Sequence, residues 1–188
     1  MKGALFLDRD GVINEDREDY VKSWQEFKFI KGVRPALKRI KAAGIPVLVI
    51  TNQSIIGRGL VSPSELGTIF DRMKAGIKKA GGEILNIYHC PHRPEDRCRC
   101  RKPRIGLLKQ AAREFDLDLK ACLFVGDSLK DLQAGRKAGC KTLLVQTGQG
   151  EESLKKIISQ KTRVRPDWIC PSLAEAAPLI VRFFKDHP

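Results

Sequence analysis

Asp8 and Asp10 stand one residue apart where the apolar run Ala4-Leu5-Phe6-Leu7 gives way to Gly11. Carboxylates at such a place can hold a metal, attack an electrophile or move a proton. Further apolar runs end in polar groups of the same kind. One is followed by Thr51-Asn52-Gln53-Ser54, another by Gly126-Asp127-Ser128 with Asp131 beyond. Aspartates brought together repel one another unless a cation intervenes. Mg²⁺ accepts carboxylate, carbonyl and water oxygens, and Asp8 and Asp127 are its candidate ligands. The set then suits phosphoryl transfer. One carboxylate attacks phosphorus and a second moves the proton, while Thr51 and a lysine hold the phosphoryl oxygens. Each piece also has a local use: an Asp pair suits a turn, and Ser128 with Asp131 spells a helix capping box.

A second cluster is softer. Cys90, His92, Cys98 and Cys100 follow the pattern C-x-H-x₅-C-x-C. Three thiolates and an imidazole suit tetrahedral zinc and leave no open position, which points to a structural site. His89 competes with His92, but it faces the opposite way from Cys90 at a strand end, so His92 is preferred. Cys100 leads directly into Arg101 and Lys102. Fixing Cys100 on zinc would fix where those two cations point.

The elements that must position these groups alternate. Strand-like apolar runs lie at 4–8, 47–51, 84–89, 122–127, 142–146 and 167–170. Between them Val33, Leu37 and Ile40, then Leu66, Phe70, Met73 and Ile77, then Leu108, Ala111, Ala112 and Phe115 recur at helical spacing. Ser62-Pro63-Ser64-Glu65 reads as a helix start. A closing helix is expected at 173–184, with Pro178 kinking or shortening it. Alternating β and α units predict an α/β fold with a parallel sheet between two helical layers. The carboxyl ends of its strands would meet at one edge.

Composition sets the outer bounds. The 188 residues are 42% hydrophobic, which suits one globular domain with a sizeable core. The start lacks a signal-peptide pattern, and no apolar run approaches the ~20 residues needed to span a bilayer. A soluble cytoplasmic protein is expected, monomeric and without a membrane partner. The net charge of +13 favours anionic partners. The basic residues are scattered and few aromatics accompany them, so a solvated basic surface is expected rather than a nucleic-acid face. Cys122, Cys140 and Cys170 lie in or beside apolar runs and read as buried, inert thiols.

Four segments carry a resemblance: Phe6-Leu7-Asp8-Arg9-Asp10-Gly11-Val12-Ile13-Asn14, Thr51-Asn52-Gln53-Ser54, Cys100-Arg101-Lys102-Pro103 and Gly126-Asp127-Ser128-Leu129-Lys130-Asp131. Together they resemble the four signatures of phosphatases of the haloacid dehalogenase (HAD) superfamily, over about Lys2 to Gly148. The resemblance implies a Rossmann-like three-layer α/β/α fold with a central, mostly parallel sheet. It implies one HAD-like domain over 1–188, with the zinc loop at 90–100 and no separate cap domain. It makes Asp8 the nucleophile, Asp10 the general acid and base, and Thr51 and Lys102 the phosphate binders. Mg²⁺ would take the Asp8 carboxylate, the Asp10 carbonyl and Asp127, with Asp131 supporting the site.

With the zinc loop, the chain resembles the heptose-bisphosphate phosphatase branch, to which histidinol phosphatases are closely similar. That implies Mg²⁺-dependent removal of the 7-phosphate of a heptose 1,7-bisphosphate in nucleotide-activated heptose synthesis. Asn52, Gln53, Ser54, Arg58, Arg101 and Lys102 would touch this sugar bisphosphate, with Arg58 and Arg101 on its second phosphate. The rivals are a histidinol phosphatase, a polynucleotide 3′-phosphatase and, outside enzymes, a zinc-knuckle nucleic-acid module.

Overall fold

The computed structural model describes residues 3–186. Its centre is a six-stranded parallel sheet, made of β1 (Leu5–Leu7), β2 (Val47–Asn52), β3 (Asn86–Cys90), β4 (Leu123–Gly126), β5 (Lys141–Val145) and β6 (Trp168–Cys170), in the order β3-β2-β1-β4-β5-β6. Among the described residues the α-helices are α1 (Val33–Ala42), α2 (Pro63–Lys79), α3 (Gly106–Glu114), α4 (Leu129–Ala138), α5 (Gly150–Ile158) and α6 (Leu173–Asp186). The fold is the three-layer α/β architecture expected.

Successive side chains of the inner strands enter opposite layers, as the strand period of two requires. Leu5, Leu7, Val47, Val49, Leu123 and Val125 join a core with α1, α2 and α6. Ala4, Phe6, Leu48, Ile50 and Phe124 join a second core with α3 and Ala134 of α4. Burial on both faces is why these strands read as unbroken apolar runs. Each buried leucine or valine contributes about 1.5–3 kcal/mol.

Helix starts follow local chemistry. Ser62 Oγ accepts from Glu65 N at 3.2 Å while Ser62 N donates to Glu65 Oε2 at 2.7 Å, which caps α2 from both directions. Pro178 neither shortens nor ends α6, which runs through it to Asp186. The lost backbone bond is outweighed by the apolar stripe of Leu173, Ala176, Ala177, Ile180 and Phe183, all buried.

The topology decides where chemistry can occur. From β1 the chain winds outward through β2 and β3, then returns to place β4 on the other flank of β1. A crevice opens at such a switch point, beyond the carboxyl ends of the strands. The register pairs Leu7 with Val125, so Asp8 and Gly126-Asp127 leave neighbouring strand ends together. No helix among the described residues is long and apolar enough to cross a membrane.

Candidate functional site

Lys102 is the hub of the crevice. Its side chain is 2% exposed, and its ammonium lies 2.9 Å from Asp8 Oδ1 and 2.6 Å from Asp131 Oδ1. It also donates to the Ile50 carbonyl at 2.8 Å. Asp131 Oδ2 accepts from Ser128 N and Oγ at 3.0 and 2.6 Å, so the capping box of α4 and the ion pair use different oxygens of one carboxylate. The loop that delivers Lys102 is clipped to the end of β2. Asn52 Nδ2 donates to the Lys102 carbonyl at 3.2 Å, and Lys102 N donates to Asn52 Oδ1 at 3.0 Å. Burial disfavours charge on Lys102, but Asp131 and Asp8 more than compensate and push its pKa up.

Asp10 has a different environment. Its Oδ1 accepts from Arg9 Nε at 3.0 Å, Arg9 Nη2 at 2.6 Å and Asn14 Nδ2 at 2.9 Å, and its Oδ2 accepts from Gln53 Nε2 at 2.8 Å. Burial opposes the charge, yet Arg9, Asn14 and Gln53 together hold this carboxyl below its ordinary range. Asp8 goes the other way. Burial lifts it from 3.8 to about 7, against the pull of Lys102. In the metal-free protein, then, two carboxyls one residue apart differ in proton affinity, with Asp8 the more basic of the two.

Asp8, Asp127 and Asp131 each present an oxygen within 4.8 Å of the others. Asp127 Oδ2 accepts from Gln149 N at 2.8 Å. A Cβ on Gly11 or Gly148 would lie 2.0 or 2.2 Å from this oxygen, so both glycines are required for the loops to close around it. Burial first, then Asp131 and Asp8, raise the Asp127 pKa well above its usual value. A hard oxygen donor set whose members resist ionising together fits a divalent cation such as Mg²⁺.

A stability effect follows for the metal-free protein. Asp8 and Asp127 bind protons more tightly folded than unfolded, so folding takes up protons, for Asp8 between about pH 4 and about pH 7. Their contribution is full below the unfolded pKa and is lost as pH rises through the folded one. Mg²⁺ should therefore raise the Tm more at pH 7.5 than at pH 5, and Asp127→Asn should flatten the metal-free pH slope. An equal Mg²⁺ increment at both pH values would contradict this.

The Cys/His residues also meet. Sγ of Cys100 lies 3.2 Å from that of Cys90 and 3.3 Å from that of Cys98, and Cys90 and Cys98 are 3.5 Å apart. His92 Nδ1 is 3.3 Å from Cys100 Sγ and 3.7 Å from Cys90 Sγ. A disulfide needs about 2.05 Å, whereas the edges of a tetrahedral Cys₃His zinc site measure about 3.5–3.8 Å from its bond lengths. The four donors therefore could hold zinc. His89 is outside the group, with its ring against Phe70 at 5.5 Å. Cys122, Cys140 and Cys170 are buried and free.

The surrounding cleft, of about 710 Å³, gathers all the expected side chains: Thr51, Asn52, Gln53, Ser54, Arg58, Arg101 and Lys102 line it beside Asp8, Asp10, Asp127 and Asp131. Arg101 also donates from Nη1 to the His92 carbonyl at 3.1 Å, which ties it to the Cys/His loop. The sequence reading missed Arg9, Asn14 and Gln149, and it missed the 16–21 segment that lines one side of the cleft. Arg9 is 1% exposed, a position that strand alternation alone does not signal once the strand has ended. For Gln149 a signal existed: Thr147-Gly148-Gln149-Gly150 is another polar, glycine-rich strand end.

Residues 99–176 match the family model described as HAD-hydrolase-like. A D-glycero-beta-D-manno-heptose-1,7-bisphosphate 7-phosphatase from Bordetella bronchiseptica is 42% identical over 174 residues, covering 92% of this chain and 94% of that protein. One from Pseudomonas aeruginosa is 41% identical, covering 88% and 93%. The crystal structure of D,D-heptose 1,7-bisphosphate phosphatase from B. bronchiseptica, complexed with magnesium and phosphate, superposes with a TM-score of 0.89 at 39% identity, covering 97% of this chain and 99% of that one. The chain belongs to the HAD-like hydrolases and, within them, to the family of the heptose-1,7-bisphosphate 7-phosphatases.

Proposed function

We propose that this protein hydrolyses the 7-phosphate of D-glycero-D-manno-heptose 1,7-bisphosphate. The observation that carries the reading is the meeting of Asp8, Lys102 and Asp131 at the switch point, with Asp10 and Thr51 in the same cleft. The printed activity of relatives at 41–42% identity over most of the chain supports the substrate. Asp8 attacks phosphorus, and the bond to the sugar oxygen breaks. Asp10 supplies a proton to that oxygen, leaving an aspartyl phosphate on Asp8. Asp10 then takes a proton from the water that releases phosphate. Lys102 and the Thr51 hydroxyl bind the transferring phosphoryl oxygens. Asp8, the Asp10 carbonyl and Asp127 would hold Mg²⁺, with Asp131 behind them, and the cation supplies charge neutralisation at the phosphoryl group. Arg58 and Arg101, on the cleft wall, suit the second phosphate.

Phosphate release from both anomers of the heptose bisphosphate, histidinol phosphate and a 3′-phosphorylated oligonucleotide tests this. The heptose bisphosphate should give the highest kcat/KM by at least tenfold. Preference for the oligonucleotide or for histidinol phosphate would overturn the assignment.

We further infer that Cys90, His92, Cys98 and Cys100 bind a structural zinc ion. Its ligand Cys100 immediately precedes Arg101 and Lys102, so zinc holds the phosphate clamp in place without joining the chemistry. Removing zinc with Mg²⁺ kept saturating should lower both Tm and activity, and adding zinc back should restore them. Unchanged Tm and activity after verified zinc loss would refute the inference.

A further inference from the structure

Gln53 lies on the cleft wall, where a glutamine would ordinarily be taken for a substrate contact, but both hydrogens of its amide are already committed. Gln53 Nε2 donates to Asp10 Oδ2 at 2.8 Å and to Thr51 Oγ1 at 2.9 Å. The other oxygen of Asp10 is saturated, since Oδ1 takes two N–H groups from Arg9 and one from Asn14. Among the described residues, Gln53 is the one donor to Oδ2. The lone pair left for a proton is therefore on Oδ2, and Asp10 keeps 24% of its side-chain exposure.

We propose that Gln53 is a positioning residue that sets the proton-transfer atom and the phosphate-binding hydroxyl together. By holding Oδ2, it fixes the oxygen of Asp10 that carries the proton. By donating to Thr51 Oγ1, it fills an acceptor position and leaves the hydroxyl hydrogen to be given to a phosphoryl oxygen. The opposite amide orientation would aim Oε1 at the Asp10 carboxylate, so the charge on Asp10 selects the observed one. Arg9 secures the other side of Asp10 from a buried site, with its guanidinium 5.7 Å from the centre of the Phe70 ring.

This rests on the phosphatase reading above, and it makes a statement that reading does not. Asp10 starts as the carboxylate that Arg9, Asn14 and Gln53 favour, and Oδ2 takes up a proton as the anionic substrate binds. As the Asp8 oxygen bonds to phosphorus and the phosphorus–oxygen bond breaks, that proton passes to the leaving oxygen. The products are the sugar alcohol, the aspartyl phosphate and the Asp10 carboxylate. A sugar alkoxide needs that proton, whereas p-nitrophenolate leaves without it. The value of kcat/KM reports the steps up to phosphoryl transfer and not the hydrolysis that follows.

The experiment compares wild type and Gln53→Leu on the heptose bisphosphate and on p-nitrophenyl phosphate. The loss of Thr51 orientation should lower both values of kcat/KM. The loss of Asp10 orientation should lower only the first, so the sugar-to-aryl ratio should fall at least tenfold, within the ~10²–10⁴ that general acid catalysis supplies. An unchanged ratio in a folded variant would overturn the proposal. If Gln53→Leu fails to fold, Gln53→Asn keeps the amide but withdraws it by one carbon, and the same ratio decides. Wild type active on both substrates with an unchanged ratio defeats this inference alone. Wild type active on neither defeats the phosphatase reading with it.

Discussion

Asp8→Asn is expected to abolish phosphate release, with a loss on the order of 10⁵–10⁶-fold, the scale seen when a covalent nucleophile is removed. An amide cannot form the acyl phosphate at a useful rate. The stability effect should have the opposite sign from that of most buried changes. Burial holds the Asp8 pKa at about 7 even with Lys102 at 2.9 Å, so the fold resists this charge at neutral pH. A neutral amide removes that resistance. Lys102 keeps Asp131 at 2.6 Å and the Ile50 carbonyl at 2.8 Å. Without divalent cations at pH 7.5, the Tm of Asp8→Asn should equal or exceed that of wild type. A variant that unfolds would contradict the stability prediction, and a folded one that keeps turnover above about a thousandth of wild type would contradict the nucleophile assignment.

Lys102→Met should damage both activity and stability. The side chain is 2% exposed, and its two carboxylate partners are 13% and 1% exposed. Removing one member of a buried ionic group leaves uncompensated charge and costs about 3–5 kcal/mol. At this chain length each kcal/mol lowers the Tm by roughly 2–4 °C. Asp8 can recover part of this by taking up a proton, so the Tm deficit should shrink towards pH 5. Catalysis should fall by about 10²–10³ in kcat, the range for losing one preorganised contact to developing charge. Phosphate-release kinetics and thermal unfolding at pH 5 and 7.5 provide the check. A stable variant with kcat within tenfold of wild type would remove Lys102 from the site.

The two substitutions separate what neighbouring charges do. Asp8 is a group the fold would prefer neutral, and Lys102 is a group it needs charged. Functional sites often carry such opposed demands, because the charge that chemistry requires is one that burial resists.

The sheet was legible in the sequence because its inner strands are buried on both faces. Phe6, Leu48 and Phe124 could be read as strand residues without knowing which helix covers them. Local capping chemistry also survived folding: Ser62 with Glu65, and Ser128 with Asp131, make the bonds their spacing suggests. Alternation was enough to separate the two neighbours at the end of β3, putting Cys90 inward beside the other cysteines and His89 outward. The shortening expected of Pro178 does not occur, since its local penalty was weighed without the burial that α6 gains around it.

The residue types and their order fixed the chemistry available to this chain: paired carboxylates after one strand, a hydroxyl after another, a lysine beside a Cys/His loop, and acids after a third. Only the tertiary structure decided how those groups share hydrogens and charge. Gln53 reaches Asp10 across 43 residues of sequence, and the Thr147 hydroxyl reaches the Gly11 carbonyl across 136. Arg9 turns into the protein to pair with Asp10, and Lys102 settles between acids from two different strand ends. Periodicity reports which face of an element is buried. It carries no information about which polar atoms meet once strand order and register bring distant segments to one crevice, and those meetings set each group's proton affinity.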